Sequence, residues 1–222
     1  MARKRVAVLI SGRGSNMVAL IEAAKDAAYP AEIALVVANE PAAKGLADAA
    51  AAGIATAVVE HRAFQRDRQA FEHALHAVLV EHRIDLVCLA GFMRVLTPWL
   101  VGQWNSRMLN IHPALLPEFK GLHTHARALA AGAKRHGATV HFVVPEMDSG
   151  PIVVQGEVAV AADDTEATLA ARVLEVEHRI YPLALRLVAA GRVAVVDGRC
   201  AIDGKLPDGG VLMLTNSSER TQ

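Results

Sequence analysis

The chain predicts an α/β fold, a Rossmann-like twisted sheet that is mostly parallel, with helices on both faces. Three observations predict it. Short apolar runs at residues 6–10 and 86–90 have the length and continuity of strands buried on both sides. Alanine-rich amphipathic stretches separate such runs, so strand and helix alternate. Gly12 and Gly14 stand where the first run turns into the first helix. Hydrophobic residues make up 53% of the 222 positions, enough to bury a sizeable core.

The elements follow in order. Residues 6–10 read as a buried strand and 15–28 as a helix. Residues 33–38 are the second strand, and 42–52 the second helix, ended by Gly53. Residues 55–59 form a short strand. Residues 64–83 form a long helix, with Phe71, Leu75 and Leu79 four apart on one face. Residues 86–90 are again a strand. Beyond Met108 the pattern changes. Residues 139–144 and 152–160 read as longer strands around a turn at 146–150, a spacing compatible with antiparallel pairing. Residues 165–190 are a helix with a long apolar stripe, and Pro182 within it predicts a kink or break. Residues 193–196 and 199–202 form a hairpin around Asp197-Gly198. Residues 1–205 are expected to form one domain, with a phosphate-binding Rossmann-like half (1–108) and a catalytic half (109–205). The tail, 206–222, is expected to be mobile.

Composition excludes several classes. There are 23 basic and 23 acidic residues, so the formal net charge is zero, which argues against a general nucleic-acid or membrane-surface binder. The only cysteines are Cys88 and Cys200, so no disulfide framework is implied, and a reducing cytoplasmic setting is expected. The basic start, Met1 to Arg5, leads into an apolar run too short for a signal-peptide core. No stretch reaches the ~18 apolar residues of a membrane span.

The richest stretch is Asn110-Ile111-His112-Pro113-Ala114-Leu115-Leu116-Pro117. It reads as a strand end entering a rigid loop. Asn110 and His112 are two apart, so on a strand both side chains share one face. An amide donor beside an imidazole suits a reaction that builds negative charge on an oxygen and moves a proton nearby. Asp148, in the turn sequence Met147-Asp148-Ser149-Gly150-Pro151, is the candidate partner for His112. A carboxylate in that place raises an imidazole's pKa and favours the cation.

Gly12-Arg13-Gly14-Ser15-Asn16 opens the first helix. Glycines there let backbone N–H groups approach an anion at a helix N-terminus. Met17 stands where a dinucleotide fingerprint needs its third glycine, and the P-loop lysine is absent, so the loop reads as a monophosphate cradle. A plain strand–helix turn capped by Ser15 is the alternative. His123, His125, His136, His141 and Asp148 lack the spacing of a zinc motif, and no metal is expected. His123 and His125 read instead as a polar rim.

The strings from Asn110 to Pro117, from Gly121 to Leu129 (GLHTHARAL), from His136 to Val143 (HGATVHFV) and from Met147 to Gln155 (MDSGPIVVQ) resemble the folate-dependent formyltransferases. The glycine loop and Glu177-His178-Arg179-Ile180-Tyr181-Pro182 sharpen the likeness, which runs from Val6 to about Ala190. The resemblance implies transfer of a formyl group from 10-formyltetrahydrofolate to the amino group of glycinamide ribonucleotide, in purine synthesis. It implies Asn110, His112 and Asp148 as catalytic residues. It implies Gly14, Ser15, Asn16, Leu174 and Glu177 as substrate contacts. It places Arg68, Met93, Arg94, Val95, Leu96, Asn110, Val144, Pro145, Glu146, Met147 and Asp148 around the folate, largely through backbone.

Some of these residues have plainer readings. Arg68, among Arg62, Arg66 and Asp67, also reads as a solvated charge, and Glu177 as a surface carboxylate. Leu174 stands where relatives often carry a polar residue. Partners are expected to be these small molecules, with the chain a monomer or homodimer. A formyltetrahydrofolate deformylase is the alternative within the family. Its relatives carry an amino-terminal regulatory domain, whereas this chain opens on its first strand. A catalytically silent folate- or phosphate-binding module is the alternative outside it.

Overall fold

Along β1 (Lys4–Ile10), alternate side chains enter two different cores. Val6, Val8 and Ile10 pack on one side of the sheet, Ala7 and Leu9 on the other. The computed structural model describes residues 2–207 and 210–214. After β1 come α1 (Ser15–Ala24), β2 (Ala31–Ala38), α2 (Gly45–Ala51), β3 (Ala55–Val58), a 3-10 turn (His61–Phe64), α3 (Arg68–Glu81), β4 (Leu86–Leu89), α4 (Pro98–Gln103) and β5 (Met108–His112). The second half adds α5 (Thr124–Ala130), β6 (Arg135–Phe142), β7 (Ile152–Ala159), α6 (Glu166–Ala189), the hairpin β8 (Val193–Val196) and β9 (Arg199–Ile202), and β10 (Leu212–Leu214).

The main sheet has eight strands in the order β10-β7-β6-β5-β4-β1-β2-β3. Every neighbouring pair is parallel except the two that β6 makes, with β5 and β7. The fold is therefore α/β and Rossmann-like, as expected. The order reverses between β1 and β4, where open α/β sheets carry their ligands at the strands' carboxyl ends.

Helices α1, α2 and α6 cover one face, and α3 and α4 the other. On β5, Leu109 and Ile111 join the first core and Met108 the second. Alternation then turns Asn110 and His112 onto the Met108 side.

Local chemistry moves several boundaries. The first helix stops at Ala24, short of the expected residue 28, where the Asp26 carboxylate accepts the Ala28 N–H and draws the chain into a turn. The expected helix 64–83 is interrupted. Gln65 adopts a positive φ of 54°, and α3 restarts at Arg68 with Asp67 as its N-cap, accepting from the Ala70 N–H at 2.9 Å. Pro182 breaks nothing, for α6 runs through it to Ala189. Tyr181 beside it is fully buried, and its hydroxyl lies 3.0 Å and 3.2 Å from the carbonyls of Leu89 and Leu109. Tertiary contact thus outweighs local propensity.

Leu212–Leu214 falls in the segment expected to be mobile, yet it pairs in parallel with β7 from Val154 to Gly156. It covers backbone groups that an edge strand would leave open. The remainder of that segment at residues 208–209 and 215–222 lies outside the described residues.

Helix α6 approaches β7 closely at Gly156. A Cβ built there would sit 2.2 Å from Val176 Cγ1 and 2.9 Å from Ile180 Cγ2. Gly156→Ala should therefore push α6 off the sheet and cost about 1–3 kcal/mol, as overpacking does. Chemical denaturation monitored by circular dichroism measures this, and an unchanged midpoint would mean that α6 is seated by other contacts.

Candidate active site

Asn110 pairs in register with His141, and His112 with Thr139, across the antiparallel β5–β6 ladder. Two catalytic candidates and a further histidine thus share one patch of sheet. The turn after β6 folds back over them. It is pinned at Gly150, where a Cβ would fall 1.8 Å from the Phe142 carbonyl oxygen, so only glycine permits the close approach. Asp148 adopts a positive φ of 51° and turns its carboxylate inward. One oxygen lies 3.5 Å from His112 Nδ1 and accepts the Gly121 N–H at 2.9 Å, and the other lies 3.8 Å from His141 Nε2. His112 Nε2 faces the Phe119 carbonyl at 3.0 Å. Both ring nitrogens therefore face oxygen atoms of the protein.

His141 was not singled out as an active-site residue by the sequence. Burial lowers its pKa from the ordinary histidine value, which favours the neutral ring. Its Nδ1 faces the Phe142 carbonyl at 2.9 Å, so Nδ1 carries the proton and Nε2 holds a lone pair. That lone pair accepts from Asn110 Nδ2 at 3.2 Å. The contact fixes which end of the Asn110 amide is nitrogen and leaves its second N–H available to a reacting oxygen. The signal was present in the sequence as the in-register partner of Asn110, but register is not legible before the strands pair.

Thr139 and Gln155 were also missed. Thr139 Oγ1 accepts from the Leu116 N–H and donates to the Ala114 carbonyl, while Gln155 Nε2 donates to the Leu116 carbonyl. Together they hold the proline-framed loop after His112. His123 and His125 divide. His123 is exposed at the N-cap position of α5 without a side-chain capping bond, while His125 pairs with buried His136 at 3.2 Å, whose pKa burial pushes down to about 4. Among the described residues, no group of three His, Cys, Asp or Glu side chains is placed to hold a metal ion.

The glycine loop lies at the carboxyl end of β1. Gly14 has φ 70° and is the N-cap of α1, with no side-chain hydrogen bond closing that end. The Ser15 cap considered above is absent, and the first amides of α1 are open to an anion. Asn16 and Glu177, 161 positions apart, meet directly. Asn16 Nδ2 donates to Glu177 Oε2 at 2.5 Å, both residues being buried. Asn16 Oδ1 is buried without a partner, an acceptor aimed at nothing in the protein. Burial raises the Glu177 pKa and the Asn16 contact partly opposes it. Leu174 is part-exposed one turn earlier on the helix.

Between these two clusters lies the loop from Gly91 to Thr97. Met93 and Val95 are 69% and 60% exposed, apolar side chains left open to a ligand, while Phe92 and Leu96 are buried in the core. Any ligand contact by Leu96 therefore falls to its backbone. Ser11 ties this loop to the glycine loop, its N–H donating to the Gly91 carbonyl and its Oγ accepting from the Met93 N–H at 2.8 Å. Arg94 lies over the Phe71 ring, and Arg68 is exposed at the start of α3. Across the cleft, Pro145, Glu146 and Met147 are exposed and Val144 is half-buried.

Residues 4–185 match the sequence profile of a family described as formyl transferase. The chain belongs to the formyl transferase family. It is 43% identical over 206 residues to phosphoribosylglycinamide formyltransferase of Escherichia coli strain K12, covering 92% of this chain and 97% of that one. It is 49% identical over 191 residues to the human trifunctional purine biosynthetic protein adenosine-3, covering 86% of this chain. The chain spans about a fifth of that relative's length, 19%. A solved phosphoribosylglycinamide formyltransferase from Coxiella burnetii superposes with a TM-score of 0.89 at 40% identity, covering 96% of this chain and all of that one.

A phosphate seated on the glycine loop would be sensitive to any side chain at Gly14. In Gly14→Val the side chain would meet Met17 Cε, which lies 3.3 Å from an ideal Cβ, and would hold a positive φ that L-residues avoid. Affinity for a phosphomonoester should fall at least about tenfold as the backbone amides lose their approach. Calorimetric titration of ribose 5-phosphate measures it, and retained affinity in a folded variant would place the anion elsewhere.

Proposed function

We propose that this chain transfers the formyl group of 10-formyltetrahydrofolate to the amino group of glycinamide ribonucleotide, in a cytoplasmic step of purine synthesis. The single observation that carries the mechanism is the closure of Asp148 over Asn110, His112 and His141 on one patch of sheet. The named activities of the relatives, at 40–43% identity over most of the chain, support the choice of substrates.

In this reading the acceptor's phosphate sits on the amides that open α1, and Glu177 orients its glycinamide end so that the amine reaches Asn110 and His112. The donor lies along the loop from Met93 to Leu96 and the turn from Val144 to Asp148, with Arg68 at its outer end. The amine nitrogen attacks the formyl carbon, the carbonyl π pair moves to oxygen, and a tetrahedral oxyanion forms. The free N–H of Asn110, set by His141, and the Nδ1 N–H of His112, which at 3.5 Å makes no hydrogen bond to Asp148, stabilise it. Collapse of the intermediate breaks the bond to the folate nitrogen. The proton lost by the amine reaches that nitrogen, with Asp148 holding His112 in place. Tetrahydrofolate and the formylated ribonucleotide leave, and no covalent link to the protein is made.

His112→Ala should lower kcat by about 10²–10³ and leave acceptor affinity within about twofold, since the imidazole acts chiefly in the transition state. Rapid-quench turnover beside equilibrium titration separates the two, and near-normal kcat would remove His112 from the chemistry. A control without acceptor distinguishes transfer from hydrolysis, because tetrahydrofolate released in its absence would assign a deformylase instead.

Glu177 gives the reading a pH test. Its pKa is raised by burial, so acidification neutralises it at a higher pH than an ordinary carboxylate. The acceptor KM should rise as pH falls through that range and stay low above it. Glu177→Gln should show a raised KM at every pH and no such limb, with kcat little changed. A limb that persists in the variant would belong to another group.

A further inference from the structure

Glu72 is fully buried on α3, four positions after Arg68 and so on the same face of the helix. A buried carboxylate needs partners, and both of its oxygens find them on one residue. Oε1 accepts the Thr97 N–H at 2.7 Å, and Oε2 accepts the Thr97 hydroxyl. Thr97 is the N-cap of α4, and its own side chain makes no capping bond to that helix. The carboxylate therefore acts on the last residue of the loop that begins at Gly91. Ser11 holds the other end, through the Gly91 carbonyl and the Met93 N–H. Between these clamps the apolar side chains of Met93 and Val95 stand open.

We infer that Glu72 is a positioning residue for the formyl donor, holding the loop from Met93 to Leu96 at the height of the cleft and in step with Arg68 on the same helix. The inference rests on the donor-binding role proposed above for that loop. Glu72 touches no reacting atom. It acts through Thr97, and a loop released at that end presents its backbone and its apolar side chains in many arrangements rather than one. The loss then falls on donor binding, because the acceptor's contacts, the α1 amides and Glu177, lie on other elements.

The test compares Glu72→Ala, Glu72→Gln and Thr97→Val with the parent chain. Isothermal titration of tetrahydrofolate reports donor-site affinity without turnover, and steady-state rates give KM for 10-formyltetrahydrofolate and for glycinamide ribonucleotide separately. Donor Kd and KM should rise about tenfold or more in Glu72→Ala and about two- to tenfold in Thr97→Val. Acceptor KM, and kcat at saturating donor, should stay within about twofold. Glu72→Gln should recover most of the donor affinity, since its carbonyl can accept the Thr97 N–H and its amide can donate to the hydroxyl. Thr97→Val preserves shape and keeps the test open if Glu72→Ala does not fold. Equal rises in both KM values, or unchanged donor affinity in Thr97→Val, would overturn the positioning role while leaving formyl transfer standing. A parent chain that fails to bind tetrahydrofolate would overturn the functional reading and this inference together.

Discussion

Helix α6 lies against the sheet where Gly156 has no side chain, and the rest of the structure hangs on that close approach. Val176 and Ile180 occupy the space a Cβ would take. Next to Ile180, Tyr181 reaches the carbonyls of Leu89 and Leu109 on β4 and β5. The same seating brings Glu177 to Asn16 at the head of α1. A single helix thus anchors the strand that carries Asn110 and closes the end of the cleft at Asn16.

The patch formed by Asn110, His112 and His141 is held from above by loops rather than helices. On its side of the sheet, α3 and α4 cover β1 and β4 with apolar side chains, and the cover ends where β5 becomes polar. The proline-framed loop is fixed by Thr139 and Gln155, and the turn carrying Asp148 by the approach at Gly150. Rigid backbone lets an otherwise ordinary turn present a carboxylate with an uncommon positive φ. Neutral His141 completes the arrangement by orienting an amide whose two ends differ in chemistry. Each of these groups is held by contacts within the protein itself.

The two halves of the cleft are mechanically joined. Ser11 belongs to the glycine loop and bonds the loop from Gly91 to Thr97 at Gly91 and Met93. This is the topological switch point, where neighbouring strands send their following segments apart and leave a crevice between them. Hydrogen bonds across the base of that crevice set the spacing of its walls.

The α/β class, the alternation of elements, and the candidates Asn110, His112 and Asp148 were legible in the sequence by itself. Each depends on short-range pattern, namely apolar run length, helical period, glycine and proline placement, and a two-residue strand spacing. Helices α4 and α5 were not legible, being one or two turns long with little periodicity to read. Continuity of α6 through Pro182, and the joining of Leu212–Leu214 to the sheet, were decided by partners far along the chain. The same holds for His141 beside Asn110, Asn16 on Glu177, and Glu72 on Thr97. Local propensity is a property of neighbours in the chain, whereas a hydrogen bond between distant residues exists only once register and packing have brought donor and acceptor within reach.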